Sequence, residues 1–324
     1  MQRRQPFSLA SSSPSEVRPC RPYLSDLTNY DAGVLFGYDT GTIGGILAMP
    51  YWRDSFSTGY INPTDHQPDV TSSQTSLIVS ILSAGTTIGA LASAPIADNI
   101  GRRWAMIVNT FVFTFGVILQ IASTSIPLFV SGRFFAGLGV GLLSATIPLY
   151  QSETAPKWVS VHAVSPVALL AQQSSLHSDS CMLMLKQIRG TIVGCYQWAI
   201  TIGLLIAAVV LNSTKGRDDT GSYRIPIGVQ FLFSIIIVGG MLVLPETPRY
   251  CIKRGNYEQA AKALSKLRRL DVNNVHLQDE LSEIRANHEY EMNIGSSSYM
   301  TLLKSPLRKR LLTGVLLQSL QQLT

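Results

Sequence analysis

Asp39 lies in the run VLFGYDTGTIGG, residues 34–45, and is the only charged residue between Asp31 and Arg53. Arg133 is equally isolated, the only charge between Arg103 and Glu153, and Gln197 interrupts a third apolar stretch. An ionised Asp at the centre of a membrane helix costs roughly 2.5–3.5 kcal/mol even on the gentlest insertion scale. Ionisable groups in such places face a bundle interior or a wet cavity and pair with one another. An Asp39–Arg133 pair removes most of that cost. Two readings follow: a switchable pair beside a cavity, or an ion pair that only holds helices together.

These residues need elements to carry them, and the composition says which. Of 324 residues, 46% are hydrophobic and only 14% are Asp, Glu, Lys or Arg, against about 25% charged residues in a soluble domain. The charges are clumped, leaving apolar windows of the length that crosses a bilayer, about 20 residues. Spans are expected near 74–97, 104–122, 128–150, 191–211 and 226–244. A shorter one covers about 32–51, and a partial seventh starts at 311. The fold class expected is therefore all-α, a polytopic membrane protein with a six-helix bundle.

Gly33, Gly37, Gly41 and Gly45 recur every four residues, and Gly85/Gly89 and Gly137/Gly141 repeat the spacing. Small residues at that interval let helix backbones approach closely. Cys20, Cys181, Cys195 and Cys251 are scattered and suggest neither a disulfide framework nor a metal site. No nucleotide loop, HExxH or GxSxG occurs, so the chain is not read as an enzyme and implies no catalytic residue, cofactor or metal. The first thirty residues lack the apolar core of a cleavable signal peptide.

Lysine and arginine set the orientation. Segment 249–310 is rich in both, and the link between the second and third spans holds Arg102 and Arg103. Positive-inside bias places these links, the 151–190 link and the N-terminus in the cytoplasm. The net charge of +6 comes mostly from 249–310; it is read as a loop facing anionic lipid, not as a nucleic-acid surface. Within it, Ala260, Ala263, Leu264 and Leu267 fall at helical spacing, which predicts short amphipathic helices along the inner membrane face.

The motifs GYDTG (37–41), DNIGRR (98–103), GRFFAGLGVG (132–141), PLYQSETAP (148–156), PETPR (245–249) and QSLQQLT (318–324) resemble the signatures of sugar porters in the major facilitator superfamily. SYRIPIGVQFLF and RKRLLTGVLLQSLQQLT are similar to fungal hexose transporters. The resemblance covers about 32–158 and 188–324, roughly the first half of a family member. It implies the N-terminal six-helix half of a carrier whose two halves rock about a central sugar site. The implied function is transport of a monosaccharide, a hexose such as glucose, across the plasma membrane, with no obligate protein partner.

The resemblance also assigns roles. Gln197 matches a sugar-binding glutamine of the fifth span, and Gln321 and Gln322 match a pair in the seventh; an amide offers donor and acceptor without charge. Asp39 matches a carboxylate whose protonation is coupled to transport in proton symporters, with Arg133 as its partner. An adjacent cation favours the ionised carboxylate and its departure the protonated one. Asp39 does not separate symport from facilitated diffusion, because facilitative fungal carriers have it too. Asp98, Arg102, Arg103, Glu153, Glu246 and Arg249 match charges forming a cytoplasmic gate; the competing reading is ordinary interfacial ion pairing worth about 0–1 kcal/mol each. Two other readings stand beside transport: a transporter-like glucose sensor, and an inactive truncated family member.

Three segments depart from the family pattern. Residues 159–187 separate APKW from IRG, where the family runs straight on. Val-Ser-Val can be encoded by GTAAGTGT, which resembles a splice donor, and Gln187 by CAG, which resembles an acceptor. A translated intron is one reading; a tolerated surface loop is the other, since closure entropy grows slowly with length. Residues 1–31 are read as a non-family tail, and 306–324 as a seventh span cut short. The remaining units are the six-span half, 32–248, and a cytoplasmic helical linker, 249–305.

Overall fold

The computed structural model describes residues 22–57, 60–61, 69–154, 197–268, 270–294, 308–309, 312–316 and 320. Its helices are α1 (Pro22–Leu47), α2 (Pro50–Phe56), α3 (Ser72–Ile100), α4 (Arg102–Ile121), α5 (Ile126–Thr154), α6 (Gln197–Thr214) and α7 (Gly221–Val243). Three further helices follow: α8 (Pro248–Lys253), α9 (Tyr257–Arg268) and α10 (Val275–Ile294). Helices α3 to α7 are each long and apolar enough to cross a membrane, in the places where the hydropathy pattern puts the second to sixth spans.

The first span differs from its expected limits of 32–51. Helix α1 starts at Pro22, inside the segment read as a tail, and includes Asn29 and Asp31. Its end has a clear cause. Pro50 has no N–H to donate and biases the preceding residue to extended backbone; Met49 is extended at φ −73°, ψ 129° and caps a new helix, α2. Helix α2 turns Trp52 and Phe56 inward, onto Phe129 of α5 at 5.8 and 6.0 Å between ring centroids. Phe56 also meets Tyr223 of α7 edge-on at 5.8 Å. This aromatic plug closes one end of the bundle.

Helix α5 is the hub, with α3 and α4 packed against it, while α7 packs on α1 and α4. The α3–α5 crossing depends on glycine: a methyl at Gly141 would run into the backbone of Thr86. Helix α6 runs beside α1 in parallel register, Ile200 against Gly37, Ala207 against Gly41 and Leu211 against Gly45. Hydroxyls add to this packing. Ser93 and Thr146 share a hydrogen bond of 2.9 Å, and the Asn109 amide donates to Thr146 at 3.2 Å, joining α3, α4 and α5. Because lipid is as apolar as leucine, close backbone approach and interhelical hydrogen bonds of this kind hold membrane helices together.

Of the stripe expected at helical spacing, α9 buries Ala260, Ala263 and Leu264, together with Ala261, and leaves Leu267 half-buried. Ala260 packs with Cys251, Ile252, Leu281 and Ile284 of α8 and α10, so the apolar stripe is covered by protein. Arg268 fastens this group to the bundle. It forks onto both oxygens of Glu280 at 3.0 and 2.7 Å and donates to the Thr154 carbonyl, the last residue of α5, at 3.0 Å.

Candidate functional site

Three helices each contribute one polar side chain to the same buried point. Asp39 of α1 and Arg133 of α5 meet with Nη1–Oδ1 at 2.9 Å, and each side chain is 1% exposed. Gln230 of α7 donates from Nε2 to the same Oδ1 at 3.0 Å. Among the described residues, Asp39 Oδ2, Arg133 Nε and Nη2, and Gln230 Oε1 have no hydrogen-bond partner. One carboxylate oxygen is thus held by two donors while its neighbour makes no hydrogen bond among the described residues. Tyr38, one residue earlier, donates to the Pro226 carbonyl at 2.9 Å and pins α1 to α7 beside the pair.

The sequence reading anticipates Asp39 and Arg133 but misses Gln230. The signal was present: Gln230 is the only strongly polar side chain between Arg224 and Ser234. An uncharged amide, however, carries a weaker burial penalty than an ion, so it does not demand a partner as loudly.

Gln197 opens α6 and is exposed, one turn before the residue that lies against Gly37. The structure therefore places it beside α1 but not in the buried triad. Gln321, Gln322 and the segment 159–187 lie outside the described residues.

The charges expected to form a gate assemble into a network at the ends of α3, α4, α5 and α7. Arg102 reaches Glu153 at 3.1 Å and Asp98 at 3.1 Å. Glu246 does something the sequence did not announce: it caps α4. Its carboxylate accepts from the backbone N–H of Arg102 at 3.0 Å, of Arg103 at 3.1 and 3.2 Å, and of Thr247 at 3.1 Å. A helix N-terminus presents unsatisfied N–H groups and partial positive charge to such an acceptor. Gly101 makes room for it, at φ +101°, where a methyl would lie 2.6 Å from the Glu246 carboxylate. Burial pushes the Glu246 carboxyl above its ordinary value, and the backbone donors and Arg102 pull it back only in part.

Arg103 spends its side chain on the open end of α7, donating to the carbonyls of Met241 at 2.8 Å and Leu242 at 2.7 Å. Arg249 departs from the expected gate. It is exposed on α8 and forms no ion pair among the described residues, because α8 turns Cys251 and Ile252 inward and leaves Arg249 outside. Lys253 takes its place, meeting Asp98 at 3.0 Å.

Five apolar helices of span length, a buried ion pair between two helices of the bundle and a charge network at the helix ends define an integral membrane protein. The chain belongs to the sugar (and other) transporter family, whose pattern matches residues 27–169 and 184–324. Residues 1–26 are unmatched, and so are 170–183, which fall inside the 159–187 insert.

Across 292 residues it is 57% identical to the major facilitator-type transporter ecdD of Aspergillus rugulosus, covering 90% of this chain and 48% of that one. It is 47% identical to the probable glucose transporter rco-3 of Neurospora crassa, over 90% of this chain and 44% of the relative. It is 38% identical to the high glucose sensor RGT2 of Saccharomyces cerevisiae, over 90% and 34% respectively. The chain thus spans about half the length of the first two relatives and a third of the last. Among solved structures, the proton:xylose symporter XylE bound to 6-bromo-6-deoxy-D-glucose superposes with a TM-score of 0.65. That match has 21% identity and covers 87% of this chain and 55% of that one, and it shows the fold.

Proposed function

We propose that this chain is the N-terminal half of a plasma-membrane hexose carrier working by alternating access, with its N-terminus in the cytoplasm. Asp39 and Arg133 are its proton-responsive pair. The observation that carries the reading is their 2.9 Å contact, buried at 1% exposure beside an unpartnered Asp39 Oδ2. A pair serving only as glue gains little from being ionic, since well-packed apolar residues of similar volume often stabilise as well or better. When Arg133 moves off, the desolvated carboxylate takes a proton at Oδ2, so proton occupancy follows conformation. Gln197 supplies donor and acceptor to the sugar from α6, and Gln321 and Gln322 supply them from the seventh span. The Arg102–Glu153–Asp98 and Glu246 contacts act as the cytoplasmic gate, holding the inner side shut and breaking when it opens. The name of the Neurospora relative supports glucose as the substrate.

A second reading is a glucose sensor on the same scaffold, favoured by the 38% identity to a high glucose sensor. Labelled-glucose uptake separates the two. The chain, completed with the second half of one of its matched relatives, is expressed in a host without hexose carriers. Saturable uptake blocked by unlabelled glucose supports the carrier. Glucose binding without uptake supports the sensor and sinks the carrier reading.

A further inference from the structure

Arg224 occupies an apolar groove that the mechanism above does not use. The groove, about 300 Å³, lies between the last turn of α4 and the first turns of α7, lined by Ile118, Ile121, Ala122, Arg224 and Phe231. Its lining residue Ile118 is exposed, as are Ile225 and Leu232 on the same helix as Arg224 and Phe231, so among the described residues this side of α4 and α7 is open. The Arg224 guanidinium stands 5.7 Å over the Tyr223 ring, and its buried Nε has no hydrogen-bond partner. It enters no ion pair among the described residues, although Asp218 and Asp219 precede it on the exposed link.

A guanidinium always carries its charge and offers five N–H donors in a fixed fork, a shape suited to phosphate oxygens. Ile121 ends α4 and Arg224 lies in the first turn of α7, which puts both at one membrane surface, at headgroup depth. Phe231 is seven residues further on, about 10 Å deeper at 1.5 Å per residue, where lipid is hydrocarbon. The ligand must therefore bring an anionic oxygen at one end and an apolar chain at the other.

We propose that this groove binds a glycerophospholipid, its phosphate diester on Arg224 and one acyl chain along Ile118, Ile121 and Phe231. The proposal needs only that the chain spans a membrane; it is independent of sugar or proton transport.

The test places the purified chain in phosphatidylcholine nanodiscs containing a trace of phosphatidylcholine with a photoactivatable acyl chain. A parallel sample holds the matching diacylglycerol, which lacks the phosphate, and crosslinked peptides are mapped by mass spectrometry. Labelling of 118–122 and Phe231 by the phospholipid is expected to exceed that by diacylglycerol about tenfold, the scale of one charge-assisted hydrogen bond. Arg224→Gln should lose that preference and Arg224→Lys keep most of it. Ile121→Trp, which fills the groove and spares the arginine, should lower labelling at unchanged helix content. Equal labelling by diacylglycerol overturns the proposal, as does labelling that persists in both Arg224→Gln and Ile121→Trp. Suppression by soluble glycerophosphocholine would also overturn it, showing a site for the headgroup alone.

Discussion

Arg133 and Gln230 donate to the same oxygen of Asp39, at 2.9 and 3.0 Å, from two different helices. Two donors hold Oδ1, while Oδ2 has no hydrogen-bond partner among the described residues. This arrangement makes Gln230 a positioning residue. Gln230→Leu should cost about 0.5–1.5 kcal/mol, the worth of one hydrogen bond. It should also move the pH at which uptake is half-maximal, which a merely structural role would not do. An unchanged pH profile in a well-expressed Gln230→Leu protein removes Gln230 from the site.

Breaking the pair from the arginine side should be worse than removing it entirely. Arg133→Leu leaves an uncompensated buried carboxylate and should destabilise the bundle by about 3–5 kcal/mol. Asp39→Asn with Arg133→Leu should recover most of that loss. Thermal unfolding in detergent reads both; a double variant no more stable than Arg133→Leu alone would show that the two residues are not coupled.

The charged pair was legible from the sequence because two lone ions in apolar runs have few ways to avoid their desolvation cost except each other. The helix interiors were legible for a similar reason, since apolar windows of span length have few alternatives. Helix ends were not. The N-terminal extension of α1 contains Asn29 and Asp31, whose polarity hid the continuation of the helix back to Pro22. The cytoplasmic charges were legible as a cluster, but not their pairing. Glu246 chose backbone N–H groups made available by Gly101, and no residue pattern distinguishes that from a side-chain salt bridge. Arg249 and Lys253 lie on one short helix, and only the packing of Cys251 decides which of them faces Asp98.

Glu246 gives the charge network at the helix ends a pH dependence with a definite sign. Its carboxyl is raised above the ordinary 4.5, chiefly by burial, so the folded protein binds this proton more tightly than the unfolded chain. The resulting stabilisation is complete below the unfolded value and is lost as pH rises through the folded one. Melting temperature should therefore fall as pH rises from the ordinary carboxylate value of 4.5 through the raised folded one, and Glu246→Gln, which cannot ionise, should flatten that slope. A slope surviving in Glu246→Gln assigns it to another group.

Glycine at the α3–α5 crossing should be far less replaceable than glycine on the open face of α7. Gly141→Ala pushes a methyl into the Thr86 backbone, whereas Gly239 has nothing within 4 Å of the added carbon. The first should cost about 1–3 kcal/mol through overpacking; the second should be neutral or slightly stabilising, by about 0.5–1 kcal/mol. Similar melting temperatures for the two variants would contradict the helix crossing described here.

The insert makes a prediction outside the folded protein. If 159–187 is a translated intron, mature transcripts should join codon 158 directly to codon 188. Reads running through the intervening codons in most transcripts would establish it as part of the cytoplasmic link.

The central claim is that Asp39 couples a proton to sugar movement, and one measurement tests it most directly. The chain completed with a relative's second half is expressed in a carrier-deficient host, and labelled glucose is followed to steady state with and without a collapsed proton gradient. The intact site should accumulate glucose above the external concentration and lose that excess when the gradient is removed. Asp39→Asn, whose amide cannot titrate, should only equilibrate. Gradient-dependent accumulation that persists in Asp39→Asn would contradict the account.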